Sequence, residues 1–447
     1  MKLAWLSPFS TNSAIGRFSL AVTNELSKHV EVDLWVSSRE DLLPTSLNIC
    51  EYNPELPLDQ WWPRDAYDFA ICNFGDHLEF HRRIFEFSRK VPGVAILHDY
   101  VMHHFFTGYY HLVLQNFDAH LRRIEALYGS RGRQANELAL SGKAGWIWDT
   151  DQVVEFPMFE DCISGSLAVV THSRFLREKV EKIFPGPVQD IALAYPVDRS
   201  LPVVPRNELP IPPGKLLLLT VGNLNRNKRV DEVIECLAAN RELAKKVYYV
   251  ACGSVDRDTA IRLRDLISRS GLDDVVRLNG HTAEAELNSY FAAADVCINL
   301  RNPAMEGGSA SLAELMLHGK AGIVSDTGVY AEIPDECVLK VRPEHEREDL
   351  ARVLASVVAD RTLRERLGAC ALRYAEENFT AEVYCRRLLR FLEEAGAWKP
   401  VLEPLHRAAR TLSDLKIPPD MEIVRTIARV SAEMFCGSAD EAPWNRK

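Results

Sequence analysis

The chain has 447 residues, a length that favours two domains over one. Hydrophobic residues make up 47% and charged residues 26%, as in globular proteins, and the formal net charge of -10 argues against a nucleic-acid partner. Ten scattered cysteines form no C-x-x-C pair, which speaks against zinc and thioredoxin-like sites, and no apolar run approaches the ~20 residues of a membrane span.

The N-terminal stretch predicts a Rossmann-like β-loop-α-β opening. Its helix carries Phe18, Val22 and Leu26 on one face, and its two strands are predicted at residues 3–6 and 32–36. The loop between the first strand and the helix contains Gly16, but G-x-G-x-x-G is absent from the whole sequence, which argues against a dinucleotide oxidoreductase. No signal-peptide core is visible, so we expect a cytoplasmic protein.

Polar side chains follow the next strands of this half of the chain. Those strands are predicted at residues 68–73, 93–97 and 167–172. Ligands bind at the carboxyl ends of strands in open α/β sheets, so the polar residues there are candidate site residues. Asn73, Asp76 and His77 follow one strand and His98 the next. A lone histidine is more often structural, and both readings stay open at this point.

Residues 101–145 are predicted to form an inserted helical layer. It begins with an aromatic run from His103 to Tyr110 and continues with the basic residues Arg122, Arg123, Arg131 and Arg133. An aromatic and basic helical surface is typical of contact with anionic lipid, which favours a peripheral position at the inner membrane face. The alternative is that the aromatic side chains are core and the arginines are solvated.

A proline-rich run at residues 201–214 predicts an inter-domain linker, because prolines continue neither a helix nor a central strand. A second α/β pattern follows, with strands predicted at residues 216–221, 247–252, 275–279, 296–300 and 321–325. It closes with helices predicted at 344–359, 361–376 and 380–396, and residues 397–447 form a tail with no usable motif.

A basic loop opens this second half. It contains Asn223, Arg226, Lys228 and Arg229 between a strand and a helix. Cations at a helix N-terminus oppose the helix dipole, by ~0.3–1 kcal/mol each, and a bound anion would offset that cost. The loop is therefore a candidate anion site, and a solvated basic turn is the alternative.

Residues 295–326 carry the most specific pattern. A buried strand is followed by Glu306, Gly307 and Gly308, then by a helix with Glu314 about one turn into it. Bare glycines at a helix start favour a diphosphate, and the two carboxylates would accept hydrogen bonds from sugar and ribose hydroxyls. The alternative is that Ser311 and Glu314 form a capping box and that Glu306 is a solvated loop acid.

The pattern resembles the E-x7-E segment of retaining GT-B-fold glycosyltransferases of family 4. The resemblance implies that Glu306 holds the donor sugar and Glu314 the nucleotide ribose, with Gly307, Gly308 and Ser309 beside the donor. The remaining implied donor contacts are Gly16, Asn223, Arg226 and Lys228. Many members have Arg where this chain has Asn223, and Arg226 or Arg229 would supply the missing charge.

The segment around His98 resembles the family's strand-then-His-Asp segment, which implies that His98 contacts the donor sugar near the scissile bond. The implied catalytic residues are therefore His98, Lys228 and Glu306, while Asn73, Asp76 and His77 would face the acceptor. Gly280 and His281 fall where the family places nucleobase contacts. Asp149-Thr150-Asp151 is a DxD triplet, which we treat as a chance match to metal-dependent transferases.

The resemblance implies two Rossmann-like domains, residues 1–200 and 215–380, facing each other across a cleft, with a helix at 381–396 crossing back. It implies a retaining hexosyltransferase that needs no metal and no cofactor, taking a nucleotide-sugar donor and a saccharide or lipid-linked saccharide acceptor in polysaccharide or glycolipid synthesis. Two alternatives stay open: a catalytically silent nucleotide-sugar-binding partner, and a sugar-nucleotide epimerase on the same fold.

Overall fold

The computed structural model describes residues 1–63, 65–198, 200–418 and 421–436. The chain divides into two compact units. Unit 1 comprises residues 1–144, 155–192 and 384–447, and unit 2 comprises residues 145–154 and 193–383. Each unit has its own sheet, and every strand pair in both sheets is parallel.

Unit 1 is built on a seven-stranded sheet in the order β3-β2-β1-β4-β5-β6-β7. Its strands are β1 Lys2–Leu6, β2 Glu31–Val36, β3 Asn48–Glu51, β4 Phe69–Phe74, β5 Val94–Leu97, β6 Ala168–Thr171 and β7 Val188–Asp190. The side chains of β1, β4, β5 and β6 are almost all buried, as expected for strands covered on both faces. The strand order reverses between β1 and β4, the place where doubly wound sheets bind ligands.

The described part of residues 1–192 contains the helices α1 Ala14–Leu26, α2 Leu78–Ser88, α3 His103–Gly108, α4 Phe117–Leu140, α5 Glu160–Ile163 and α6 Arg174–Val180. Helix α1 begins earlier than the sequence predicted, because Ser13 caps it by accepting the Gly16 N–H at 3.1 Å. Gly16 therefore lies in the first helical turn and not in the loop. A Cβ at this position would lie 2.7 Å from the Ser10 carbonyl oxygen, so the close loop requires glycine.

The predicted helical insert is α3, a π-helical turn at Tyr109–Val113, and α4. The idea that its first aromatic residues form a lipid-facing surface is wrong, because Phe105 and Phe106 are buried. Three of the four predicted basic residues are paired with carboxylates, in the pairs Arg123–Asp161, Arg131–Glu155 and Arg133–Glu125. Residues 145–154 group with unit 2, so the insert stops short of its predicted end.

Unit 2 is built on a six-stranded sheet in the order β10-β9-β8-β11-β12-β13. Its strands are β8 Leu216–Val221, β9 Val247–Cys252, β10 Val276–Gly280, β11 Val296–Asn299, β12 Ala321–Ser325 and β13 Val338–Val341. Its helices are α7 Val230–Ala239, α8 Arg241–Ala244, α9 Arg257–Arg269, α10 Glu284–Ala293, α11 Ala310–Leu317, α12 Glu346–Ala359 and α13 Arg361–Asn378. One core cluster of aliphatic side chains joins the sheet to α7, α9 and α12.

The sequence predicts an inter-domain linker at residues 201–214, but this proline-rich run is not free in the structure. It belongs to unit 2 and is held there by specific hydrogen bonds. The Val204 N–H donates to Ser289 Oγ at 3.0 Å, and Arg206 Nη1 contacts Asp295 Oδ2 at 2.9 Å. Prolines exclude this run from the sheet, but they do not prevent it from packing on the surface beside α10.

Two last helices follow, α14 Ala381–Asp414 and α15 Glu422–Cys436, and residues 384–447 group with unit 1. The predicted end of the helix at residue 396 is wrong, since α14 continues through Pro400 and Pro404. Packing stabilises the extension: Leu402 is buried, and His406 Nε2 lies 2.9 Å from the Ser166 carbonyl oxygen. Residues 437–447 of the predicted tail lie outside the described residues. Within the described chain, every helix is too short or too polar to cross a membrane.

Candidate functional site

The loop after β8 places Lys228 in the interior of unit 2. The residue is 4% exposed, and its Nζ donates to the Val221 carbonyl oxygen, to Ser311 Oγ at 3.3 Å and to Asn299 Oδ1 at 3.4 Å. In the described part of the chain, no carboxylate lies within ion-pair distance of it. Burial, and then the nearby Arg301, lower the pKa of Lys228 well below its usual value. The three oxygen atoms that accept hydrogen bonds from Lys228 are thus all neutral.

The other two basic residues of this loop point elsewhere. Arg229 forms a buried ion pair with Glu346 at 2.5 Å and a second with Glu232 at 3.0 Å. Arg226 donates to the Asp149 carbonyl oxygen at 2.7 Å and pairs with Asp151 at 3.2 Å. The prediction that Arg229 replaces the charge missing at position 223 is therefore wrong, because its charge is already neutralised.

Helix α11 starts beside Lys228. Ser309 caps it and accepts the Leu312 N–H at 3.3 Å, so the capping box suggested for Ser311 and Glu314 does not form. Ser311 instead turns inward and donates to Asn299 Oδ1 at 3.1 Å. The positive end of the α11 dipole and the Lys228 ammonium therefore lie on the same small polar cluster at the carboxyl ends of β8 and β11.

Glu306 lies in the loop before this helix and is held by three donors. Its Oε1 accepts from Arg301 Nε and from the Tyr330 hydroxyl, both at 2.5 Å, and its Oε2 accepts the Met305 N–H at 3.1 Å. Burial alone would raise the pKa of Glu306, but Arg301, Tyr330 and Lys228 together lower it below the ordinary value. Glu306 is an ionised carboxylate and not the solvated loop acid of the alternative reading.

The remaining predicted donor residues surround this cluster to different degrees. Gly307 is buried and Gly308 half-buried in the same loop. Glu314 lies on α11, and its negative charge partly opposes the lowering of the Lys228 pKa. Asn223 is exposed in the loop after β8, and His281 follows β10. Unit 2 therefore brings together Lys228, Glu306 and Ser309, while the roles assigned to the other residues stay predictions.

In unit 1, His98 belongs to a buried hydrogen-bonded array. Its Nε2 lies 3.0 Å from Asn73 Oδ1 and its Nδ1 lies 3.0 Å from His172 Nε2. The other nitrogen of His172 lies 3.0 Å from the Ile191 carbonyl oxygen. Phe18 packs edge-on against His98 with ring centroids 4.8 Å apart. Asn73, predicted as an acceptor contact, is a partner of His98.

The array has fewer protons than contacts. Asn73 Oδ1 and the Ile191 carbonyl both accept, because Asn73 Nδ2 already donates to the Leu6 carbonyl oxygen at 2.9 Å. Three contacts need three N–H groups, whereas two neutral imidazoles supply two. Burial, and then His172, lower the pKa of His98 well below its usual value, so the pair stays neutral near pH 7. Both ring nitrogens of His98 are occupied within unit 1.

Asp76 and His77 are placed differently from each other. Asp76 Oδ1 accepts the Phe105 N–H at 2.6 Å, and burial raises the pKa of Asp76 well above its usual value. His77 immediately precedes α2, and its ring lies against Phe80 with centroids 4.6 Å apart. Asp76 therefore fixes the start of α3, which is a structural role. Among the described residues, neither Asp76 nor His77 is hydrogen-bonded to the side chain of His98 or His172.

Sequence reasoning missed three residues of these sites: Asn299, Arg301 and His172. Arg301 had one usable signal, since a cation five residues before Glu306 follows a buried strand. Asn299 is the last residue of β11 and was counted as part of an apolar strand. His172 was counted as the end of a strand. Only the parallel register of β5 and β6 brings its ring to His98.

Residues 205–373 match the family model described as Glycosyl transferases group 1. The D-inositol 3-phosphate glycosyltransferase of Thermobifida fusca (strain YX) is 28% identical over 205 residues. That alignment covers 44% of this chain and 46% of the relative, so the chain matches about half of the relative's length.

Two solved structures are similar over nearly the whole chain. Sucrose-phosphate synthase from Thermosynechococcus elongatus has a TM-score of 0.58 at 16% identity, covering 89% of this chain and 99% of that one. Anabaena HepE in complex with UDP and glucose also has a TM-score of 0.58 at 16% identity, covering 88% and 100%. Likeness at this identity concerns the fold. Residues 205–373 are thus similar to glycosyl transferases group 1, and the two Rossmann-like units of the chain have the GT-B fold.

Proposed function

We propose that this protein is a retaining glycosyltransferase of family 4 that moves a sugar from a nucleotide-sugar donor to a hydroxyl acceptor. One observation carries the proposal: Lys228, the ionised Glu306 and the capped start of α11 converge at the strand ends of unit 2. The group 1 family match over this unit supports it. So does the relative HepE, whose solved structures hold UDP with glucose and UDP-glucose.

The chemistry requires a diphosphate to leave as its negative charge grows. Donors arranged in advance around developing charge are often the largest catalytic contribution. Lys228 and the N-terminus of α11 would provide it. In a retaining transfer, the bond from the sugar C1 to the diphosphate breaks as the acceptor oxygen bonds to C1 on the same face. The acceptor proton then goes to the leaving phosphate oxygen.

Glu306 would orient the sugar. A carboxylate has about four lone-pair positions, and Arg301, Tyr330 and Met305 fill three of them. One position is left for a donor-sugar hydroxyl. Because three protein donors fix the carboxylate, it is positioned before the sugar arrives, as a binding group requires.

The acceptor is proposed to be a saccharide or lipid-linked saccharide, in cell-surface polysaccharide or glycolipid synthesis. On the donor side we propose that no metal is needed, because Lys228 and the helix start carry the charge role. The carboxylate of Asp151 in the DxD triplet is paired with Arg226 in unit 2. This pairing supports a structural role for the triplet.

The experiment is a product analysis with UDP-, GDP- and ADP-sugars of α configuration. We expect one nucleotide family to be consumed, with slow hydrolysis in the absence of acceptor and an α-linked product by NMR. A β-linked product would overturn the retaining assignment. If no donor is consumed, the proposed transferase activity is wrong.

A silent nucleotide-sugar-binding partner is the second candidate. Two observations favour it: the exposed Asn223 where the family pattern has Arg, and the inward position of Lys228, bonded to three neutral acceptors. Such a protein would bind a nucleotide sugar without consuming it, whereas an epimerase would release a 2-epimer. The same product analysis separates all three.

A peripheral membrane contact is proposed from a different surface than the sequence suggested. Leu112, Leu114 and Phe117 are 74%, 46% and 53% exposed around the start of α4, with the exposed Arg122 nearby in the chain. Apolar area beside a cation suits an anionic lipid surface. Flotation with anionic vesicles should move the wild-type protein and not Leu112→Glu/Phe117→Glu. If the two proteins float alike, the contact does not exist.

A further inference from the structure

We propose that Arg301 is the second cation of the donor phosphate site, working beside Lys228. The inference rests on the proposed function, since it assigns a role within the same site. The sequence pattern left one positive charge missing at Asn223, and Arg226 and Arg229 were the expected replacements. The structure points to a residue from a different loop, the one that follows β11.

The guanidinium of Arg301 has more donors than its protein partners use. Nε donates to Glu306 at 2.5 Å, and Nη1 donates to the Leu300 carbonyl oxygen at 2.8 Å and to Asn299 Oδ1 at 3.2 Å. No acceptor within the described chain lies within hydrogen-bond distance of Nη2. This nitrogen is not sealed off from solvent. Two N–H groups of a residue that is 8% exposed are therefore left for a ligand.

Lys228 and Arg301 meet at one neutral oxygen. Lys228 Nζ lies 3.4 Å and Arg301 Nη1 lies 3.2 Å from Asn299 Oδ1. Two buried like charges this close oppose each other, and of the two cations it is Arg301 that forms the ion pair with Glu306. A diphosphate carries at least two negative charges on adjacent phosphates, so it could neutralise both cations at once. Arginine suits this task because its planar fork binds phosphate oxygens through two parallel hydrogen bonds.

The two basic residues expected to replace the missing charge, Arg226 and Arg229, already have other partners in unit 2. Arg229 is neutralised by Glu346 and Glu232, and Arg226 is held by the segment at 149–151. Arg301 differs from both, because one face of its guanidinium serves Glu306 and the opposite nitrogen stays open. The competing explanation is that Arg301 only positions Glu306, in which case it would affect the sugar and not the phosphates.

The test compares a nucleoside diphosphate with its nucleoside by calorimetry. The probe is whichever of UDP, GDP and ADP binds the wild-type protein most tightly, together with uridine, guanosine or adenosine. In Arg301→Gln we expect diphosphate affinity to fall 10- to 100-fold, the usual range for a lost charge-assisted hydrogen bond, with nucleoside affinity unchanged. The diphosphate affinity of Arg301→Lys should lie between those of the wild-type protein and Arg301→Gln. Arg264→Gln, on the exposed face of α9, is the matched control for lost charge.

The outcomes separate this inference from the proposed function. Unchanged diphosphate affinity in Arg301→Gln, or an equal fall for diphosphate and nucleoside, would overturn the inference. If Lys228→Ala loses diphosphate binding and Arg301→Gln does not, only the inference fails. If the wild-type protein binds no nucleoside diphosphate at all, both fail. Should Arg301→Gln not fold, Arg301→Lys decides, because it keeps the charge and removes the fork.

Discussion

Glu306 shows how a single carboxylate can be both structural and functional. It neutralises Arg301 in a pair whose side chains are 9% and 16% exposed, and it is the residue proposed to hold the donor sugar. Removing one partner of a buried pair leaves a bare charge and commonly costs ~3–5 kcal/mol of unfolding free energy. A loss of activity in Glu306→Ala would therefore have two causes, the lost contact to the sugar and the lost stability.

We predict that Glu306→Ala loses most transfer activity and is also destabilised by several kcal/mol. Tyr330→Phe is the matched variant, because it removes one hydrogen bond to Glu306 and keeps the carboxylate. It should lose ~1 kcal/mol of stability and retain measurable turnover. Denaturant unfolding and initial rates measure both effects. Near-normal turnover in a folded Glu306→Ala would remove the residue from the site.

The His98–His172 array makes a prediction about pH. Burial lowers the pKa of His172 to about 4 in the folded protein, against 6.5 for the unfolded chain. Between these values the unfolded state binds more protons, so this group's contribution to stability is present above pH 6.5 and is lost as the pH falls towards about 4. One such histidine contributes a slope of ~1.4 kcal/mol per pH unit.

His172→Gln should therefore show a shallower fall of unfolding free energy between pH 6.5 and 4 than the wild type. Glutamine keeps one donor and one acceptor, so packing changes are small, and His29→Gln on the exposed face serves as control. Parallel pH curves for wild type and His172→Gln would show that His172 titrates normally in the folded protein.

Among the individual site residues, the sequence predicted those that lie in recognisable patterns. Lys228, Glu306 and His98 were found through their positions after strands and through the resemblance to family 4. Arg301, Asn299 and His172 could not be found, because their roles depend on which strands are neighbours in space. The capping residue was placed two positions late, since Ser309 and Ser311 both suit a cap and only the chain path separates them.

Among the elements, the loop that presents Lys228 depends on a close backbone contact. Gly253 has φ +147°, and a Cβ there would overlap the Gly222 carbonyl oxygen at the end of β8. The loop is also tied by the Leu224 N–H, which donates to the Ser254 carbonyl oxygen at 2.8 Å. A side chain at 253 would therefore push the two loops apart and move Lys228.

We predict that Gly253→Ala is destabilised by ~3 kcal/mol or more, because overlap with the backbone adds to the strain of a positive φ, and that it loses nucleotide binding. Gly280→Ala is the matched control, because it also has positive φ, +68°, but open space around its Cβ. Because the Gly253 N–H also donates to the Gly280 carbonyl oxygen, a second control away from the site is Gly214→Ala, with φ +75° and open space around its Cβ. The Gly214→Ala control should lose only ~1–2 kcal/mol, the cost of a left-handed alanine, and keep nucleotide binding. Equal losses in Gly253→Ala and Gly214→Ala would mean that backbone strain, and not the loop contact, sets the effect.

The long, apolar strands were predicted almost residue by residue, and β8, β9 and β12 match their predicted bounds. The strands that were missed are β3, β7 and β13, which have three or four residues and are only partly buried. Such strands at the sheet edges carry little apolar patterning, so tertiary pairing alone defines them. The extension of α14 was missed for a related reason, because packing overrides its two prolines.

At the scale of the whole molecule, the predicted pair of Rossmann-like domains is confirmed. The metal-independent reaction stays a prediction. We expect transfer activity to survive EDTA at millimolar concentration, because Lys228 and Arg301 supply the positive charge that a metal would otherwise bring to the diphosphate. Complete loss in EDTA, restored by magnesium or manganese, would contradict this account.

We infer that unit 2 activates a nucleotide sugar through Lys228. The most direct test of this inference measures consumption of the best of the UDP-, GDP- and ADP-sugars by wild-type protein, Lys228→Ala and the exposed control Lys246→Ala. We expect Lys228→Ala to lose ~100- to 1000-fold in rate, the usual cost of removing one preorganised donor, while Lys246→Ala keeps the wild-type rate. Consumption by Lys228→Ala at the wild-type rate, in a folded protein, would contradict the inference.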